Sequence, residues 1–262
     1  MLPAPAAPLL PRLYPLPGRI WQVQAGRRGL GVELRDVAAR QVGYAWLPLR
    51  GRPRLLPTED WWRGLRAVGH SCLYTHGYAH PGSPTQRHLA AYACRTGKKL
   101  WEQPELQLRS LSATGLWCAD GQGQAVHLHP GTGRPRRPDP NPYPLPEQHF
   151  PGTAVYTDAL WPQLVARVRP WLDYEPALQL EYLSWGPYEI WCALRAGQAE
   201  QGTQPAHYTA ELLVLHAGAE LQRATLYQGR EKIGIDSFFV WQHHLVYVQD
   251  DRALALLPLS RW

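Results

Sequence analysis

Four times along this chain a run of alternating apolar residues breaks at a glycine-containing turn and resumes as a second such run. This recurrence limits the fold more than any other feature. The clearest copy spans residues 89–102, where Leu89-Ala90-Ala91-Tyr92-Ala93-Cys94 leads through Arg95-Thr96-Gly97-Lys98 into Lys99-Leu100-Trp101-Glu102. Further copies surround Gly133 (residues 125–134), Gly218 (residues 212–221) and Gly51 (residues 44–52). Period-2 alternation ending in glycine marks a half-buried antiparallel hairpin, because glycine accepts the positive φ that such tight turns demand. A further short apolar strand precedes or follows these copies at residues 72–75, 116–118, 189–192 and 244–248, so the repeating unit holds at least three strands.

The turn glycines Gly51, Gly97, Gly133 and Gly218 stand 46, 36 and 85 residues apart. Repeats of about 40 to 50 residues with three or four strands each are the pattern of propeller blades. The expected fold is therefore all-β, a small β-propeller of about five blades in a single domain over residues 1–262. The long interval is read as an insertion over residues 135–172. It comprises a Pro-rich loop (135–151) and one short helix (158–172) that places Leu160, Leu164, Val168 and Leu172 on one face. Three strands at 238–241, 245–248 and 254–257 leave the last blade without a fourth. The N-terminal strand is expected to complete it and remove two sheet edges, with Gly18-Arg19-Ile20-Trp21-Gln22-Val23 as the candidate.

The net charge of +6 comes almost wholly from arginine, since Lys98, Lys99 and Lys232 are the only lysines. The arginines are dispersed among acids rather than gathered in a stripe, which argues against nucleic acid as a partner. Cys72, Cys94, Cys118 and Cys192 lie in apolar stretches with no C-x-x-C spacing, the pattern of small buried hydrophobes in a reducing, cytoplasmic setting. No apolar run approaches the roughly 20 residues of a membrane span, and the N-terminus has no basic leader, so no membrane partner is expected.

The segment Thr96-Gly97-Lys98-Lys99-Leu100-Trp101-Glu102 resembles the repeat of quinoprotein-type (PQQ-like) β-propellers, in which a tryptophan docks between neighbouring blades. The resemblance weakens over residues 126–136 and 18–23. The chain also resembles a bacterial propeller-like family of unknown function through Val32-Glu33-Leu34-Arg35-Asp36, Trp61-Trp62-Arg63-Gly64-Leu65, Leu73-Tyr74-Thr75-His76-Gly77-Tyr78, residues 180–183 and residues 234–239. Both resemblances imply a fold and no chemistry. Quinone-dependent dehydrogenases of this type carry a vicinal cysteine pair and a calcium site. No two cysteines are adjacent here, so no cofactor is expected.

Candidate chemistry is sparse. There is no P-loop, no G-x-S-x-G and no H-E-x-x-H. His127-x-His129 has a strand spacing that can bind metal, but both imidazoles are read as lining a solvent face, and no metal site is assigned. Most of His70, His76, His80 and His88 are expected in loops. Glu33, His76 and Asp236 are the candidates for acid–base catalysis, although the charges of Glu33-x-Arg35-Asp36 and Asp236 are read first as structural, anchoring turns or pairing with each other. Arg35, Trp62 and Tyr78 are the ligand-binding candidates. The twelve tryptophans of the chain are read first as wedges between blades.

The leading functional reading is a non-catalytic propeller that binds a protein or small ligand at one mouth of its channel. The runner-up is a hydrolase or lyase using carboxylates and histidines there, and a third is a scaffold subunit with an exposed apolar patch.

Overall fold

The computed structural model describes residues 10–78, 86–112, 114–138, 148–155, 157–172, 177–196, 207–230 and 237–259. Contacts group the chain into two compact units, one from Leu16–Glu147 and the other from Met1–Pro15 with Gln148–Trp262. The described residues form five antiparallel sheets and one short helix. That is the element inventory of a small five-bladed β-propeller. The first strand, β1 (Arg12–Pro15), belongs to the last sheet.

The unit from Leu16–Glu147 holds three sheets, each pairing consecutive strands. The first is β2 (Arg19–Ala25), β3 (Gly29–Asp36), β4 (Gln41–Pro48) and β5 (Arg54–Asp60). The second is β6 (Arg63–Val68), β7 (Cys72–Tyr78), β8 (Gln86–Ala93) and β9 (Lys99–Gln103). The third, β10 (Gln107–Leu111), β11 (Leu116–Ala119) and β12 (Ala125–Leu128), has only the isolated bridge Leu128–Pro135 where a fourth strand would lie.

These sheets stack face upon face. Leu73, Ala90 and Tyr92 of the second sheet bury against Val42, Tyr44 and Trp46 of the first. Their neighbours Cys72, Tyr74, Leu89 and Ala91 bury against Leu108, Leu116 and Leu128 of the third. Successive strand residues point to opposite faces, so a strand covered on both sides reads as an unbroken apolar run. The first strand of the hairpin expected to be half-buried, β8, is thus buried on both faces, whereas β9 stays partly exposed. Trp101 bridges the second and third sheets, its indole N–H donating to Pro130 O at 3.0 Å.

The other unit holds two sheets. One runs β14 (Gly152–Val155), β15 (Ala177–Trp185), β16 (Tyr188–Ala196), β17 (Tyr208–His216) and β18 (Ala219–Arg230) in order. In the last, β13 (Gln148–His149) flanks β19 (Phe238–Trp241), followed by β20 (His244–Gln249), β21 (Ala253–Pro258) and β1. The alternation recurs: Ile190, Cys192, Leu212 and Val214 pack against Val240, Leu245 and Leu257, whereas Trp191, Ala193, Leu213 and Leu215 pack beneath the helix α1 (Trp161–Val168) through Val168 and Leu172.

Four local expectations change. The N-terminal strand does complete the last sheet, but through Arg12–Pro15, with Tyr14 opposite Leu254. Residues 19–25 instead pair with β3, and Trp21 is exposed rather than wedged. The helix is shorter than expected because the chain turns before Trp161, leaving Leu160 exposed at its N-cap. The insertion also supplies strands, β13 to one sheet and β14 to another. Among the described residues no helix is long and apolar enough to cross a membrane.

Candidate functional site

The antiparallel order of the first two sheets brings the C-terminal ends of β3 and β7 together with the start of β6 and the Trp61-Trp62 connection. Glu33 and Arg35, two residues apart on β3, share a face. Arg35 Nε donates to Glu33 Oε1 at 2.7 Å, forming a buried ion pair. The other carboxylate oxygen, Oε2, accepts the backbone N–H of Leu65 at 2.6 Å and so ties the first sheet to the second. The remaining arginine nitrogens donate to Trp61 O at 2.5 Å and Arg63 O at 2.9 Å, and the guanidinium lies 4.7 Å over the Trp61 ring. Burial pushes the Glu33 carboxyl above its ordinary range, opposed by the Leu65 N–H and by Arg35.

His76 sits directly across β6 and β7 from Gly64. A Cβ on Gly64 would stand 3.3 Å from Glu33 Oε2 and 3.4 Å from His76 Nε2, so the missing side chain is what leaves room for both groups. The imidazole is buried, and among the described residues neither ring nitrogen has a hydrogen-bond partner. Burial, with Arg66, Arg35 and Arg63 nearby, lowers its pKa to about 4, which makes it neutral at pH 7. The Tyr78 ring meets it edge-on at 5.1 Å, and the Tyr78 N–H donates to Trp62 O at 3.1 Å.

Five of the six residues singled out from sequence, Glu33, Arg35, Trp62, His76 and Tyr78, therefore converge on one end of these sheets. Asp236 lies outside the described residues, as does His80. Expectations for other histidines change: His76 and His88 are strand residues, not loop residues. His127 and His129 do not share a solvent face, because β12 stops at Leu128; His127 is buried against the Trp117 ring at 4.8 Å, and His129 is exposed in the following turn. Among the described residues no group of three or more His, Cys, Asp or Glu is arranged to hold a metal.

Sequence reasoning missed the polar network beside this cluster. Arg63 donates to His88 O at 2.7 Å and to Glu102 Oε1, and Glu102 Oε2 stands 3.1 Å from Lys99 Nζ. Burial raises the Glu102 carboxyl, but the Arg63 and Lys99 contacts outweigh it and its pKa ends below the ordinary value. The Tyr92 hydroxyl donates to Glu59 Oε1, and the Tyr44 hydroxyl is buried beside the same carboxylate. Burial and the charges of Glu59 and Glu33 hold the Tyr44 phenol neutral. Arg63 follows the Trp61-Trp62 pair directly, and that adjacency was the one available signal. Outward from this network, Glu59, Tyr92, Lys98 and Lys99 border a pocket of about 630 Å³.

None of the curated proteins matches this chain. Among solved structures, the computationally designed Ika8 protein aligns at 10% identity and a TM-score of 0.32 over 92% of this chain and 58% of that one. BamB from Moraxella catarrhalis aligns at 13% identity and 0.27 over 93% and 60%, and the WD40 domain of SCAP from fission yeast at 8% and 0.25 over 100% and 76%. The chain thus spans about three fifths of the length of the first two. Residues 24–101, the stretch that carries all five converging residues, match the model of a family described as Domain of unknown function (DUF4905).

Proposed function

We propose that this protein is a non-catalytic, propeller-type binding scaffold. Its ligand, a small molecule or an extended protein segment, would dock on the end of the first two sheets at Trp62 and Tyr78, with Arg35 behind them. One observation carries the reading: both oxygens of Glu33 are already engaged, by Arg35 and by the Leu65 N–H, so the best-placed carboxylate is committed to joining two sheets. Trp62, by contrast, stays 38% exposed, and aromatic faces held on a rigid frame suit sugars, rings and peptide side chains. The Trp101 dock supports reading the second sheet as a quinoprotein-like repeat, and four buried, unpaired thiols support a reducing, cytoplasmic setting.

A thermal-shift screen of sugars, nucleotides and short peptides, followed by titration of intrinsic fluorescence, tests the proposal. A genuine ligand should lose about tenfold or more in affinity with Trp62→Ala. Binding insensitive to both Trp62→Ala and Tyr78→Ala would overturn the site. One observation favours the hydrolase or lyase alternative, namely the neutral, unpartnered His76 beside Glu33. Turnover of ester or phosphoester substrates that disappears in His76→Ala would establish it in place of the binding reading.

A further inference from the structure

A second pocket, of about 340 Å³, opens between the second and third sheets, away from the residues above. Three turns build it: Gly69, His70 and Ser71 between β6 and β7, Ser112 and Thr114 between β10 and β11, and the turn of His129 that follows β12. Arg136 closes one side. Among the described residues no carboxylate lines it, whereas Arg35, Arg63, Arg87, Arg167, Arg195 and Arg223 are all paired with acids.

Part of the donor capacity in this pocket is left over from the fold's own needs. Arg136 is oriented by two backbone carbonyls, its Nη1 donating to Thr114 O at 2.7 Å and its Nε reaching Arg137 O at 3.4 Å. Among the described residues it has no carboxylate partner, which leaves Nη2 free for a ligand. His129 Nδ1 accepts the backbone N–H of Gly131 at 3.2 Å, a contact that leaves Nε2 as the ring's donor. Hydroxyls of Ser71 and Thr114 add donors from the two other turns, whereas that of Ser112 is spent on Gly115 O at 3.2 Å. The His70 pKa is lowered by burial and then by Arg28 and Arg27, an excess of positive charge that an anion would relieve.

We infer that this pocket binds the phosphate group of a small phosphate monoester. Donors arrive from three turns and from Arg136, a spread that suits a tetrahedral oxyanion better than a planar carboxylate. The volume lies at the lower end for small-molecule sites and leaves room for a short polyol or a single ring beyond the phosphate, against Tyr74 and Leu111. The inference does not depend on the Trp62 reading, and a Trp62→Ala variant should bind the phosphate unchanged.

Calorimetric titration of the full chain with glycerol 1-phosphate at low ionic strength provides the test, with glycerol and an ionic-strength-matched chloride salt as controls. Saturable binding below about 10 mM, absent with both controls and weakened about tenfold or more in Arg136→Gln, is expected. Binding equal to the chloride control, or unaltered in a folded Arg136→Gln protein, overturns the inference. Histidine proton resonances of the wild type test it without any variant. Those of His70 and His129 should shift on titration while those of His216 and His244 stay still; uniform or absent shifts count against the site.

Discussion

His76 shows what the burial of a single polar side chain demands. Its ring is enclosed near Arg35, Arg63 and Arg66, with the Glu33 carboxylate across Gly64, and a pKa of about 4 means that the folded state resists protonating it. The unfolded chain takes up that proton near pH 6.5. Between these limits the unfolded state binds more protons, so stability must fall as pH drops from about 6.5 toward 4. Replacing His76 with Gln removes this contribution. Urea melts across that range should show wild type losing up to about 3 kcal/mol relative to the variant. A constant difference at every pH would show that the imidazole is not held neutral by the fold. Glu33 was legible as a structural charge that anchors a turn or pairs with a neighbour; that the neighbour is Arg35 came from the structure. Its bond to Leu65 was not legible, since that N–H lies 32 residues away on another sheet.

Single turns and strands account for the next level. Gly133 and Gly218 end equivalent hairpins, with φ of 64° and 79°. A Cβ at Gly218 meets nothing within 4 Å, whereas one at Gly133 would lie 2.6 Å from the Trp101 ring. Gly218→Ala should therefore show only the left-handed backbone cost of about 1 kcal/mol. Gly133→Ala should cost at least about 2 kcal/mol, because it also displaces the indole that bridges the second and third sheets. Equal losses in chemical denaturation would remove the role assigned to the Trp101 dock. These turn positions were readable from spacing alone. The burial of both faces of β7 and β8 was readable only in part: the run Leu89-Ala90-Ala91-Tyr92 is apolar throughout, and that continuity, rather than alternation, signals a strand between two neighbours.

For the whole chain, the decisive feature is the strand that completes the last sheet. Residues 12–15 pair with β21, so the unit holding both termini is closed only when the two ends of the sequence meet. We propose that residues 1–262 unfold as one domain, and calorimetry should then record a single transition. Deleting residues 1–15 strips the cover from β21 and exposes its backbone edge beside Leu254 and Leu256. An uncovered apolar edge invites pairing between molecules. The truncated chain should melt several degrees lower, by about 5 °C or more, and self-associate in light scattering. An unchanged transition and a monodisperse truncated protein would deny β1 any structural role.

Strand pattern and turn glycines are local properties, set by side-chain alternation and by the few residues that accept positive φ. The amino-acid order alone therefore determined the all-β class, the repeated hairpins and the count of about five sheets. Which N-terminal residues complete the last sheet, which histidines end up buried, and how Arg63 reaches Glu102 were decided only in three dimensions. Each depends on the register between strands distant in sequence, where a shift of one residue turns every side chain to the opposite face.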